Sequence, residues 1–191
     1  EALAPVVVWV DELEKAVAGA GTDSSGVTTR MVGQLLTWMQ DKKDAAFVIA
    51  TANDVSRLPP ELLRKGRWDE VFFVDLPTQA ERDDILAVHL RARGRDPSAF
   101  DRAALAARTQ GFSGAELEAV VVEALTRAFD DGSRDLTDAD LTAAVAETVP
   151  LSAMMAERVQ ELRRWAQGRA RFASSPERWD GRTSAARTVD M

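Results

Sequence analysis

The chain has 191 residues, 46% of them hydrophobic and 29% charged, the balance of a soluble globular protein with room for one good-sized domain or two small ones. It has no cysteine and a single histidine, His89, which excludes disulfides, thiol nucleophiles, Cys-based zinc sites and multi-histidine metal sites. Its formal net charge of −7 argues against a general nucleic-acid surface, and no apolar run approaches the ~20 residues that span a bilayer.

The sequence begins with Glu1 and enters a core-like run within a few residues, which predicts a segment cut from something longer. No signal-peptide pattern opens it, so the expected compartment is the cytoplasm. Val6–Val10 is continuously apolar and rich in β-branched residues, predicting a strand buried on both faces. The Gly-, Ser- and Thr-rich stretch Gly19–Gly26 predicts a mobile loop. Val32, Leu35, Leu36 and Met39 follow the i, i+3, i+4, i+7 spacing, so Thr28–Gln40 reads as an amphipathic helix. AAFVIATAN, from Ala45 to Asn53, reads as a second buried strand ending in polar residues. Pro60 opens a short helix, Gly66 makes a turn, and VFFVDLP, Val71 to Pro77, is a third short strand halted by proline.

From there the pattern turns helical. Thr78 and Glu81 form a capping box that opens a helix to about Arg93, and Phe100–Arg108 predicts a short second helix. Ser113 and Glu116 form another box, followed by Leu117, Val120, Val121, Ala124, Leu125 and Ala128 on one helical face. Thr137 and Asp140 resemble a third, leading a helix to Val149; Pro150 ends it, and a last helix runs from about Ser152 to Gln167. The expected organisation is a parallel α/β sheet with helical crossovers over 1–77, a helical unit over 78–150, a C-terminal helix over 151–168 and a flexible basic tail over 169–191.

Ligands of open parallel sheets sit beyond the carboxyl ends of the strands. Asp11 and Glu12 stand at that end of the first strand, and Thr51 to Asn53 at that end of the second. Two acids there suit a site that holds Mg²⁺ and activates water: Asp11 orienting the metal, usually through its waters, and Glu12 polarising the attacking water. Asn53 can donate and accept, and so could position that water or touch a terminal phosphate. The alternative is that exposed acids are common at strand ends and asparagine is a routine turn residue. Arg64 and Arg67, after a short helix, suit a subunit edge from which they reach a neighbour's phosphate. Their alternative is a solvated turn with an ion pair to Asp69 or Glu70.

VVVWVDE, then ATAN, then LLRKGRWD, then GFSGAELE, in this order, resembles the AAA ATPase module over about residues 4 to 150. LTWMQDKK, TANDVSRLPPELLRKGRWDEVFFVDLP, HLRARGRDP and ETVPLS resemble a narrower group, the uncharacterised AAA proteins of plastids and cyanobacteria. The resemblance implies an α/β fold: 1–77 would be the C-terminal part of a P-loop NTPase parallel sheet, and 78–150 an all-helical AAA lid. It implies ATP and Mg²⁺, with Asp11 as the metal-side acid, Glu12 as the catalytic glutamate and Asn53 as the γ-phosphate sensor. Arg64 and Arg67 would be fingers acting in trans, which implies self-association into a ring, a hexamer by family resemblance. His89 would lie near the ribose, with packing in a helix as its rival reading. Gly114 and Ala115 would let the lid backbone approach the nucleotide, while Leu117, Val120 and Leu125 read as core.

One departure is that no G-x-x-x-x-G-K-[ST] occurs in the sequence, so the phosphate-cradling loop is expected upstream of Glu1. The first pore loop is expected there too, and Gly19–Thr29 resembles the second without an aromatic residue to grip a polypeptide. The runner-up is a truncated, non-catalytic AAA module that binds partners or acts as an adaptor. A third reading has Arg163, Arg164, Arg169 and Arg171 contacting nucleic acid; its rival, a solvated basic helix end favoured by the helix dipole, is preferred. The macromolecule acted on is not legible.

Overall fold

The computed structural model describes residues 4–18, 27–41, 45–64 and 66–174. The expected mobile loop at Gly19–Gly26, and with it most of the segment likened to a second pore loop, lies outside the described residues, as does the tail beyond 174. The chain divides into two compact units, Glu1–Val71 and Phe72–Met191.

In the first unit, β1 (Val6–Val10) leads through a single turn, α1 (Leu13–Ala16), to α2 (Val27–Asp41) and then β2 (Ala46–Ala50). The two strands pair in parallel, Val6 opposite Ala46 through Val10 opposite Ala50, the arrangement that a helical crossover permits. Leu13, Val17, Val32, Leu58 and Leu62 form the buried core, with Leu35, Leu36 and Met39 of α2 and Val10 and Ala50 of the strands packed on it.

The strands are not buried on both faces. Val7 and Trp9 are 64% and 71% exposed, and Phe47 is 66% exposed. The pleat sends alternate side chains to opposite faces, and among the described residues α2 and its neighbours cover only one of them. After β2, single turns of 3₁₀ helix at Val55–Arg57 and Pro60–Leu63 carry the chain to Gly66, whose φ of +88° explains the turn there. Trp68 ties this segment down by donating its indole N–H to the Leu62 carbonyl at 2.9 Å.

The second unit opens with β3 (Phe72–Phe73), shorter than the 71–77 strand expected. It pairs in parallel with β4 (Arg171–Phe172), drawn from the stretch expected to be tail. The Phe73 and Phe172 rings meet edge to face at 5.3 Å, and Arg163 fixes the same region through three hydrogen bonds of 2.8–3.0 Å to Asp75. That guanidinium is therefore committed to a carboxylate in the same unit.

The helices follow their predicted starts. Capping boxes at Thr78 and Ser113 open α3 (Gln79–Ala92) and α5 (Gly114–Asp130). Between them α4 (Arg102–Arg108) begins later than expected because Asp101 caps it, behind a 3₁₀ turn at Pro97–Ala99. The helix expected over 152–167 is two: α7 (Leu151–Met154) and α8 (Ala156–Ala166), parted at Met155. Leu86, Leu90, Leu105, Phe112, Leu117, Val120, Val121 and Leu141 fill the core, the α5 stripe among them. Gly111, at φ +84°, is needed twice over, since a Cβ there would stand 2.7 Å from the Ser152 hydroxyl that donates to the Gly111 carbonyl.

Thr137 caps α6 (Asp138–Glu147), and Asp140 closes that box as the pattern predicted. The structure adds Arg134, whose Nη1 and Nη2 donate to Asp140 at 2.6 and 2.7 Å. This bidentate pair, then the Thr137 hydroxyl, holds the Asp140 carboxyl well below the usual carboxylate range. A depressed folded-state pKa contributes stability above the unfolded value and loses it as pH falls. Asp140→Asn is therefore expected to destabilise this unit by about 1–3 kcal/mol at neutral pH. Its deficit relative to the parent should shrink below about pH 4, where the unfolded carboxyl titrates. Thermal unfolding at pH 7 and pH 3 checks both.

Candidate active site

The parallel register puts the ends of β1 and β2 side by side, and Thr51 knits them together. Its backbone N–H donates to Val10 at 3.0 Å, and its carbonyl accepts from the Leu13 N–H at 2.8 Å. Its hydroxyl accepts from the Glu12 N–H at 3.0 Å and donates to Oδ1 of Asp11. Glu12 itself lies in the left-handed region, at φ 48° and ψ 55°, a rare conformation for a non-glycine residue. It turns the chain out of the sheet between strand and helix, where local strain is often found at functional sites.

The Glu12 carboxylate is held from two sides. Asn53 Nδ2 donates to Oε1 at 3.3 Å, and Lys15 Nζ reaches Oε2 at 2.6 Å. The hydrogen bond and charge of Glu12 raise the Lys15 pKa. This pair is solvent-exposed, so it adds little to stability. Behind it, Glu14 is only 3% exposed and accepts the backbone N–H of Asn53 at 3.1 Å. Asp11, Glu12 and Asn53, predicted from the two strand ends, thus share one hydrogen-bonded cluster.

The cluster was only partly visible in sequence. The sequence pattern alone assigns no role to Thr51, Glu14 or Lys15. A hydroxyl residue directly after the second strand, and acids at both 12 and 14, were the available signals.

Arg64 is exposed and Arg67 half-buried, on either side of the Gly66 turn. Among the described residues neither forms an ion pair to Asp69 or Glu70, and neither bonds to Asp11, Glu12 or Asn53.

In the second unit His89 is partly buried on α3, with Nδ1 3.7 Å from Oε1 of Glu118 on α5. Arg93 donates to the same oxygen at 2.8 Å, and that bond, with His89 second, lowers the Glu118 pKa. Gly114 and Ala115 form the first turn of α5 behind the Ser113 cap, and a Cβ on Gly114 would meet only Ile85 at 4.0 Å. Of the C-terminal arginines, Arg163 bonds to Asp75, Arg164 to the Gln160 carbonyl and Arg169 to the Trp165 carbonyl.

Among the described residues no three acidic or histidine side chains gather into a metal cage. Mg²⁺ does not need one, because it keeps several waters and takes one or two carboxylates plus substrate phosphates. A lone exposed Asp11, with its orientation set by Thr51, fits that donor chemistry. No helix among the described residues is long and apolar enough to cross a membrane.

Two family profiles match the chain: the ATPase family associated with various cellular activities (AAA) over residues 1–76, and the AAA+ lid domain over residues 99–143. The uncharacterized AAA domain-containing protein ycf46 of Guillardia theta is 42% identical over 177 residues, covering 91% of this chain and 35% of that protein. The protein of the same name in Pyropia yezoensis is 41% identical, over 91% of this chain and 36% of its own. The proteasome-activating nucleotidase of Aeropyrum pernix is 38% identical over 148 residues, 74% of this chain and 36% of that protein. The chain spans about a third of the length of these relatives. With a parallel strand pair ending in Asp-Glu and Thr-Ala-Asn, followed by a capped helical unit, the chain belongs to the AAA family, as part of its ATPase domain and the lid that follows.

Proposed function

We propose that the protein containing this chain is an Mg²⁺-dependent ATPase that hydrolyses ATP to ADP and phosphate to remodel a macromolecule, working as a ring, a hexamer by family resemblance. The observation that carries the reading is the cluster of Asp11, Thr51, Glu12 and Asn53 at the carboxyl ends of two adjacent parallel strands. Support comes from the family and from a relative whose name is that of a nucleotidase.

Bound beside Asp11, Mg²⁺ would supply neutralisation of phosphate charge. Asp11, its rotamer set by the Thr51 hydroxyl, holds the metal side of the site. Each Glu12 oxygen keeps a lone pair beyond its bonds to Asn53 and Lys15, so the carboxylate can accept a hydrogen bond from water and take its proton. Asn53, bonded to Glu12 through its amide nitrogen, keeps its carbonyl to orient that water, or turns its amide to the terminal phosphate. Arg64, exposed, and Arg67, half-buried, neither with a side-chain ion pair among the described residues, bring positive charge to a neighbouring subunit's site. His89 is assigned to the nucleotide's ribose, Gly114 and Ala115 are assigned as the small residues that let the lid backbone approach the nucleotide, and the cytoplasm is the proposed compartment.

Phosphate release by the full-length protein tests this. With ATP and Mg²⁺, activity per subunit should rise with protein concentration as rings assemble, and fall to background when Mg²⁺ is chelated. Concentration-independent turnover would sink the trans contribution. Nucleotide binding without turnover at any concentration would favour the non-catalytic, partner-binding module instead.

A further inference from the structure

Glu14 is an unusual way to fill a core position. It is 3% exposed, directly after the core residue Leu13, and its Oε2 has no hydrogen-bond partner among the described residues. An apolar side chain of similar volume would fill this space with no polar group to desolvate. What the carboxyl does that a methionine cannot is accept the Asn53 backbone N–H, at 3.1 Å and 39 residues away in sequence. The same asparagine gives its side-chain amide to Glu12 at 3.3 Å. Two acids two residues apart, one half-buried and one buried, therefore hold a single asparagine by its side chain and by its backbone.

We propose that Glu14 is a positioning residue: its buried carboxyl fixes the backbone of the Thr51–Asn53 turn so that the Asn53 amide is presented to Glu12 and to the terminal phosphate. The proposal rests on the reading of Glu12 and Asn53 as the water-orienting pair. In this role Glu14 acts only through Asn53, whose backbone N–H it accepts. Without the bond, Asn53 keeps its side chain but not a fixed origin for it. Misplacement of a reacting group by about 1 Å is enough to cost up to about 10²-fold in rate.

The test uses the full-length protein with Glu14→Met, which removes the acceptor and conserves volume, and Glu14→Gln, which keeps a carbonyl oxygen in place. Glu14→Met should fold, with a melting temperature at or above the parent's. Exchange of the Asn53 amide hydrogen should accelerate by about tenfold or more. Turnover should fall about 10–100-fold, with ATP affinity within about twofold of the parent. Glu14→Gln should restore both, and Glu14→Met should cost nothing further in an Asn53→Ala background. Parental turnover in a folded Glu14→Met protein, or an Asn53 amide still protected there, overturns the proposal. A lost amide protection in Glu14→Met beside full turnover in Glu12→Gln would overturn the hydrolytic reading of the site, while the hold of Glu14 on Asn53 stands.

Discussion

Glu12→Gln in the full-length protein is expected to abolish measurable ATP turnover while leaving ATP binding intact. The amide is isosteric with the carboxylate, so the left-handed backbone at Glu12 and the Glu12 N–H bond to Thr51 have no reason to move. The exposed Lys15 contact is lost, but a solvated pair of this kind contributes little to folding. What disappears is the ability to take a proton from water. General-base contributions of this kind are worth about 10²–10⁴-fold in rate. Equilibrium binding of a fluorescent ATP analogue and single-turnover phosphate release separate the two effects. Unchanged turnover would remove Glu12 from the mechanism. Lost binding would mean that the carboxylate helps to hold nucleotide instead.

Arg67→Ala is the second large effect. A trans arginine that meets charge developing in phosphoryl transfer is worth ~10³ or more in kcat. The ion pair to Asp69 or Glu70 that would give Arg67 a structural role does not form among the described residues. Anchoring of the segment falls to Trp68, through its bond to the Leu62 carbonyl. The decisive version mixes two inactive proteins. Arg67→Ala subunits keep Glu12 and Glu12→Gln subunits keep Arg67, so a mixed ring contains interfaces where both are intact, and activity should reappear on mixing. No recovery in rings shown to exchange subunits would place Arg67 in its own subunit's chemistry. A melting temperature that collapses with the activity would make it structural.

How much of this was legible in sequence differs from element to element. The Thr78, Ser113 and Thr137 boxes were readable because a cap is a local event: a hydroxyl and an acid three residues apart satisfy each other's amides, and no distant residue is needed. The α5 stripe was readable for the same reason, since helical periodicity alone assigns Leu117, Val120 and Val121 to one face. The strand ends carried Asp11, Glu12 and Asn53 into view because parallel sheets place their ligands there. Sequence did not show that Thr51 bonds to Asp11 and to the Glu12 amide, or that Glu14 is buried. Both depend on a pairing register between segments about 40 residues apart.

The same limit explains the errors. Continuous apolar runs at Val6–Val10 and Ala46–Ala50 look doubly buried, yet cover depends on which partners lie over each face, and Trp9 and Phe47 are exposed in this chain. The pairing of Arg171–Phe172 with Phe72–Phe73 joins residues about 100 apart, and nothing in a two-residue stretch announces its partner. Alone, then, the sequence determined the local features: where helices start, which face of each is apolar, and which strand ends carry acids, all of them set by neighbours within a turn or two. Only the tertiary structure decided which of those side chains meet. It made Asp11, Thr51, Glu12, Asn53 and Glu14 one cluster, and it took Arg163 of the C-terminal helix to Asp75, because hydrogen bonds between distant segments form only once packing and register have brought them together.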